Sequence, residues 1–162
     1  MDHDAEFEEF FDSVFERAKA LARRLRLDPH EAEDVAMEAL TRAYVRWRKL
    51  HDVDWREAWV IKVTANLAID ALRRSARPVP RAEPATAFEE ATVARLDVSR
   101  ALSAIPRRQC EVVVMRYLAD LPEHEVASAL HIRRGTVKSH AHRGQEALGA
   151  LLGATRGEGD RG

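Results

Sequence analysis

Three prolines fall within Arg77-Pro78-Val79-Pro80-Arg81-Ala82-Glu83-Pro84, between two stretches whose apolar residues recur at helical spacing. Each proline removes a backbone donor and pushes its predecessor toward an extended conformation, so no helix crosses this segment. A chain of 162 residues can bury one modest core or two small ones. The prolines favour two, which sets a first domain at residues 1–76, a flexible linker at 77–90, a second domain at 91–153 and a disordered tail at 154–162.

Both domains read as all-α. Phe7, Phe11, Val14, Ala18, Leu21 and Leu25 alternate spacings of four and three, as one face of a helix does. Asp28 then suits an N-cap and Pro29 a first helical position, which opens a second helix carrying Ala32, Ala36, Ala39, Ala43, Trp47 and Leu50. A third helix runs from about Trp55 to Arg74, with Trp55, Trp59, Val63, Leu67 and Ala71 on its apolar side. Lys62, Asn66, Asp70 and Arg73 form a polar stripe opposite the tryptophans, an amide and bases that suit an unstacked base and its phosphates. By spacing alone Asn66 fits equally an exposed residue or a local cap, and Asp70 a partner of Arg73 or Arg74.

Past the prolines, Val98, Leu102, Ile105, Cys110, Val113 and Tyr117 resume helical spacing. Pro122 to Leu130 then reads as a short helix, His131-Ile132-Arg133 as a tight turn, and a further helix starts near Arg134. Val126, Leu130, Ile132 and Val137 supply the core between the two, and Ala127 allows a close crossing. This is a helix-turn-helix. Arg134, Thr136, Lys138, Ser139, His142 and Arg143 lie on the second helix, a basic and polar face suited to phosphates and base edges. His131 stands where a glycine usually makes the left-handed turn, at a cost of ~1 kcal/mol.

Composition narrows the function. Charged residues make up 33% of the chain, yet the net charge is only −1. The charges are sorted: acids crowd residues 2–12 and 28–38, bases gather at Arg73, Arg74, Arg77 and Arg81 and again from Arg133 to Arg143. Free binding to DNA rests mostly on phosphate neutralisation, so a chain this near neutrality should bind weakly alone and gain from a larger partner. No apolar run approaches a membrane span, the start is acidic where a secretory signal is basic, and a cytoplasmic protein is expected. The single Cys110 can form no internal disulfide, and its apolar stripe reads as buried.

At this level the residues resemble the extracytoplasmic-function group of bacterial sigma factors, which keep sigma regions two and four. Ala104-Ile105-Pro106-Arg107-Arg108-Gln109, Val114-Met115-Arg116-Tyr117, Glu125-Val126-Ala127 and Gly135-Thr136-Val137-Lys138-Ser139 resemble successive signatures of region four. Glu31-Ala32-Glu33-Asp34-Val35 with Glu38-Ala39-Leu40 looks like the polymerase-docking helix, and Trp59 through Asn66, Asp70, Arg73 and Arg74 like the helix that reads the −10 element. The resemblance implies core RNA polymerase and promoter DNA as partners, an anti-sigma factor as a regulator, and no cofactor or metal. It implies polymerase docking through Glu33, Asp34, Met37 and Glu38, and −10 recognition and melting through Lys62, Asn66, Asp70, Arg73, Arg74 and Trp55. The −35 duplex would be read by the helix from Arg134. Met37, Cys110 and His140-Ala141 depart from the family's usual residues.

Two other classes stay open. Thr136-Val137-Lys138-Ser139-His140 also resembles the recognition helix of LuxR-type activators, which bind duplex DNA without melting it, although residues 7–74 lack the alternating strands a receiver domain needs. A degenerate sigma factor acting only as an interaction module is the other. An enzyme is not expected: His140 and His142 lie about 200° apart around a helix and cannot converge on one metal, and no nucleophile triad or phosphate loop is present.

Overall fold

The structure is a computed structural model that describes residues 2–75, 95 and 97–159, with the side chains of 152 and 154–159 excepted. The linker at 77–90 and the boundary at 91 lie outside the described residues, as do 160–162. All described elements are helical. The first domain holds α1 (His3–Arg24), α2 (Pro29–Val45), α3 (Trp47–Leu50) and α4 (Arg56–Ser75). The second holds α5 (97–103), α6 (Arg107–Val113) with a π turn at Val114–Leu118, α7 (Glu123–Leu130) and α8 (Arg134–Gly159).

Local chemistry accounts for the element ends. Asp28 Oδ1 accepts the Glu31 backbone N–H at 2.9 Å and Glu31 Oε2 accepts that of Asp28 at 3.1 Å, a reciprocal capping box with Pro29 inside it. The second helix is expected to run unbroken to Leu50, but it breaks at Arg46, and α3 turns Trp47 and Leu50 into the core. Burying those two large residues outweighs the broken helix turn. His131 adopts the left-handed turn, φ 54° and ψ 43°, that its position requires. His131→Gly should relieve up to ~1 kcal/mol of that strain and raise the melting temperature of the second domain slightly. A lower one would mean that the contact of His131 with Trp55 matters more.

α8 continues to Gly159, beyond the expected end at Gly153. Once a helix is nucleated each added residue gains a hydrogen bond, and glycine disfavours it by only ~1 kcal/mol.

Ala32, Ala36, Ala39 and Ala43 are fully buried, and these small side chains let α1 and α4 close on α2. α4 departs most from expectation. Beyond Trp59 and Val63, its buried residues include Val60, Ile61, Ala65, Ala68, Ile69 and Leu72, and they encircle the helix. The cause is its position: α1 and α2 cover one side, while α6, the π turn and α7 pack on the other. The second domain is therefore docked on the first.

Ion pairs and caps line that junction. Arg95 grips Glu31 with both guanidinium nitrogens, 2.6 and 2.9 Å, and donates to Ser75 Oγ at 3.0 Å. Arg17 pairs with Glu57 and donates to the Ala119 carbonyl at 2.8 Å, and Arg24 donates to the Leu118 carbonyl. The Arg95 guanidinium holds the Glu31 carboxyl at about 2, well below its ordinary 4.5. A carboxyl so depressed stabilises the fold above pH 4.5, and this contribution fades as the pH falls toward 2. Glu31→Gln should accordingly lower the melting temperature by a few degrees at pH 7 and by less at pH 3, as read by circular dichroism.

Candidate nucleic-acid interface

α8 rests on the second domain through buried Val137 and Ala141, which fixes the opposite face outward. Arg134, Lys138, Ser139, His142 and Arg143 are exposed there, and Thr136 is half-buried at the edge. Glu123 of α7 holds Arg134 Nε at 3.3 Å, an orienting contact that spacing did not suggest. Ser139 Oγ donates back to the Gly135 carbonyl at 3.1 Å, so it presents lone pairs to a ligand. His142 lies outward, 3.3 Å from Glu146, whereas His140 turns inward with Nδ1 buried. Neutral or cationic donors along one open helix face are what phosphates and base edges accept.

Gly144 sets how closely α8 approaches α6. A Cβ there would lie 2.4 Å from Val113 Cγ2 and 3.2 Å from the Gln109 carbonyl oxygen. Nothing in the apolar spacing singled this glycine out, though an isolated glycine inside a helical pattern is the available signal.

The α4 stripe stands in a different environment. Asn66 Nδ2 donates to Glu111 Oε1 at 2.8 Å, and Arg107 pairs with Asp70 while reaching the Asn66 carbonyl and amide oxygens at 3.2 Å. Arg73 Nη2 donates to the Leu102 and Ile105 carbonyls at 3.1 and 3.2 Å. Lys62 Nζ donates to the Ala129 carbonyl at 3.3 Å and sits 5.6 Å from the centre of the Trp59 ring, against that tryptophan rather than opposite it. The helix turns only three residues' worth between them, which leaves a long side chain free to fold back. Burial pushes the Lys62 ammonium below its ordinary pKa, and the nearby Glu111 carboxylate opposes that shift. Trp55 meets His131 edge-on at 5.6 Å. Of the six residues, Arg74 alone is exposed. A cleft of 520 Å³ remains beside Lys62, Asn66 and Asp70, open at Arg42 and Arg108.

Glu111 is the residue that spacing missed. It is only 6% exposed and takes both the Asn66 amide and Arg108 Nη1 at 3.1 Å. Beside it Cys110 is fully buried, and burial lifts its thiol to about 11, which makes it an inert small hydrophobe.

On α2, Glu33, Asp34, Met37 and Glu38 are all exposed. Met37 keeps 44% of its surface, and Tyr44 at 51% and Val45 at 80% extend an apolar seam through the acids.

Two family models match separate stretches of the chain. The family model for Sigma-70 region 2 matches residues 10–78, and that for Sigma-70, region 4 matches residues 95–148. The chain is 33% identical over 143 residues to an RNA polymerase sigma-E factor of Streptomyces coelicolor, covering 85% of this chain and 81% of the relative. It is 31% identical over 168 residues to the ECF RNA polymerase sigma factor SigW of Bacillus subtilis, covering 91% and 88%. The fold is similar to that of the sigma factor RpoE of Bartonella quintana, solved in complex with the anti-sigma factor NepR, with a TM-score of 0.59, 20% identity and 90% and 96% of the two chains covered.

Proposed function

The chain belongs to the ECF RNA polymerase sigma factors, and from that membership we propose how its surfaces divide the work of starting transcription. It directs core RNA polymerase to promoters. The α8 face, with Arg134, Thr136, Lys138, Ser139, His142 and Arg143, reads the −35 duplex in the major groove. The α2 seam around Met37, with Glu33, Asp34 and Glu38, docks on core polymerase. Lys62, Asn66, Asp70, Arg73, Arg74 and Trp55 take the −10 element as it melts. The chain works without catalysing a reaction, in the cytoplasm and at the nucleoid, and an anti-sigma factor restrains it. Among the described residues no helix is long and apolar enough to cross a membrane.

The observation that carries this reading is the open α8 face over a buried Val137 and Ala141 floor, in a domain that also displays the basic turn of the helix-turn-helix. A LuxR-type regulator would share that face, but it would have no use for the exposed Met37 seam. Met37→Asp should weaken capture of core polymerase about tenfold or more, because a charge replaces the apolar centre of the seam. Pull-down with purified core measures this.

Asn66→Ala tests the −10 assignment. It removes the amide that would meet a flipped base and should reduce open-complex formation, while duplex binding through α8 is unchanged. Permanganate footprinting of the melted thymines reads the effect. Undiminished reactivity would refute the role of Asn66.

A further inference from the structure

Not every group on the exposed face of α8 is a donor. Arg134, Lys138 and Arg143 can only donate, whereas Ser139 gives its hydroxyl proton to the Gly135 carbonyl, 3.1 Å away, and keeps its lone pairs for a ligand. His142 is governed by an acid outside the −35 assignment. Glu146 stands one turn further along α8, 69% exposed, and its Oε1 lies 3.3 Å from Nε2 of His142, which is itself 73% exposed. A carboxylate repels a lone pair and attracts a proton, so the proton of the neutral ring sits on Nε2. Nδ1 is then an acceptor.

The other charged groups around the ring do not compete for it. Arg116 and Tyr117 of the π turn, Glu123 of α7 and Lys138 line the cleft beside His142. Arg116 donates to the Leu121 carbonyl at 2.6 Å and lies over the Tyr117 ring, Glu123 holds Arg134, and Lys138 is a cation with no acceptor to offer. Glu146 therefore sets the tautomer.

We propose that Ser139 Oγ and His142 Nδ1 form an acceptor pair that selects amino-bearing bases, adenine or cytosine, at two neighbouring positions of one strand, with Glu146 as the residue that positions His142. This rests on the reading of α8 as the −35 face. Residues three apart on a helix share a face, displaced along its axis by ~4.5 Å, close to the ~3.4 Å step from one base to the next. Adjacent acceptors can thus meet adjacent bases. In the major groove the base donors are adenine N6 and cytosine N4, while guanine O6 and thymine O4 are acceptors and would set lone pair against lone pair. Lys138 and Arg143, on either side, remain for phosphate or guanine.

One half of the pair depends on pH. Histidine is the side chain that changes charge near neutrality, and protonation puts a donor on both ring nitrogens. Nδ1 then opposes an amino group and suits a base oxygen or a phosphate. Ser139 does not titrate there, so its position keeps its preference as the pH falls and that of His142 loses its own.

The test selects bound promoters from a library randomised across the −35 element, with holoenzyme assembled from core RNA polymerase and the full chain. At about pH 8, two neighbouring positions should favour adenine or cytosine over guanine or thymine by about tenfold each. At about pH 6 one of these preferences should fall to about twofold or less, and the other should persist. His142→Ala should abolish the pH-sensitive preference, and Ser139→Ala the other. Glu146→Gln keeps the shape of the side chain and removes the charge that fixes the proton, so at about pH 8 it should weaken the pH-sensitive preference several-fold at an unchanged melting temperature. Base preferences untouched by Glu146→Gln would overturn its positioning role. Selection of guanine or thymine at both positions, or an amino preference that neither pH nor His142→Ala moves, overturns the acceptor pair and leaves the α8 assignment standing. If no position of the −35 element is selected, the α8 assignment fails and the pair with it.

Discussion

Gly144→Leu is expected to destabilise the second domain by about 3 kcal/mol, with loss of duplex binding. The cause is steric. Even a Cβ at this position would lie 2.4 Å from Val113 Cγ2 and 3.2 Å from the Gln109 carbonyl oxygen. Val113 is itself buried and β-branched, and a backbone oxygen inside α6 cannot step aside, so α8 must move off α6. Gly144→Ala carries the same first clash, offset by the ~1 kcal/mol that alanine gains over glycine in a helix. Its net effect should be smaller. Thermal unfolding followed by circular dichroism should place the leucine variant about 10 °C below the parent. An unchanged melting temperature would mean that α6 and α8 do not cross at this glycine.

Arg143→Ala should weaken promoter binding by ~1 to 3 kcal/mol if the guanidinium reads a base, with the loss concentrated at one promoter position. If it holds only phosphate, binding falls evenly across sequences and the salt slope drops by about one unit. Lys138→Ala is expected to follow the second pattern, since an ammonium is a point charge without the planar fork that matches guanine. Titrations over promoter variants at two salt concentrations separate the two. Neither variant should change stability by more than ~0.5 kcal/mol, because both side chains are exposed.

Most of the helices, the break after Leu27, the left-handed turn at His131 and the burial of Cys110 were legible in the sequence, because each is written in neighbours a turn or less apart, whereas the break at Arg46 was not. The α8 face was legible for the same reason: Val137 and Ala141 fix its inward side, and the exposed residues follow by spacing. What spacing could not convey was the surroundings of α4. Its stripe was visible as polar, but a polar stripe needs partners of opposite character without specifying whether they are nucleotides or protein. Glu111 lies 45 positions from Asn66, and Arg107 37 from Asp70. No local periodicity links residues so far apart. The buried ring around α4 was missed likewise, since Val60, Ile61 and Ala68 fall off the stripe through Trp59 and Val63, and α4 is packed on both sides.

Asn66 illustrates how the two layers interact. Its substitution by alanine deprives buried Glu111 of a donor and should weaken the contact between α4 and α6. Open-complex formation is expected to fall, because the same amide is lost to the melted strand.

The most direct measurement of the central claim is transcription by core RNA polymerase with and without this chain on genomic DNA, with the 5′ ends of the products mapped. As a sigma factor it should produce a discrete set of starts absent from core alone, each preceded by paired motifs near −10 and −35. Products indistinguishable from those of core alone, with the chain bound to polymerase or not, would contradict it.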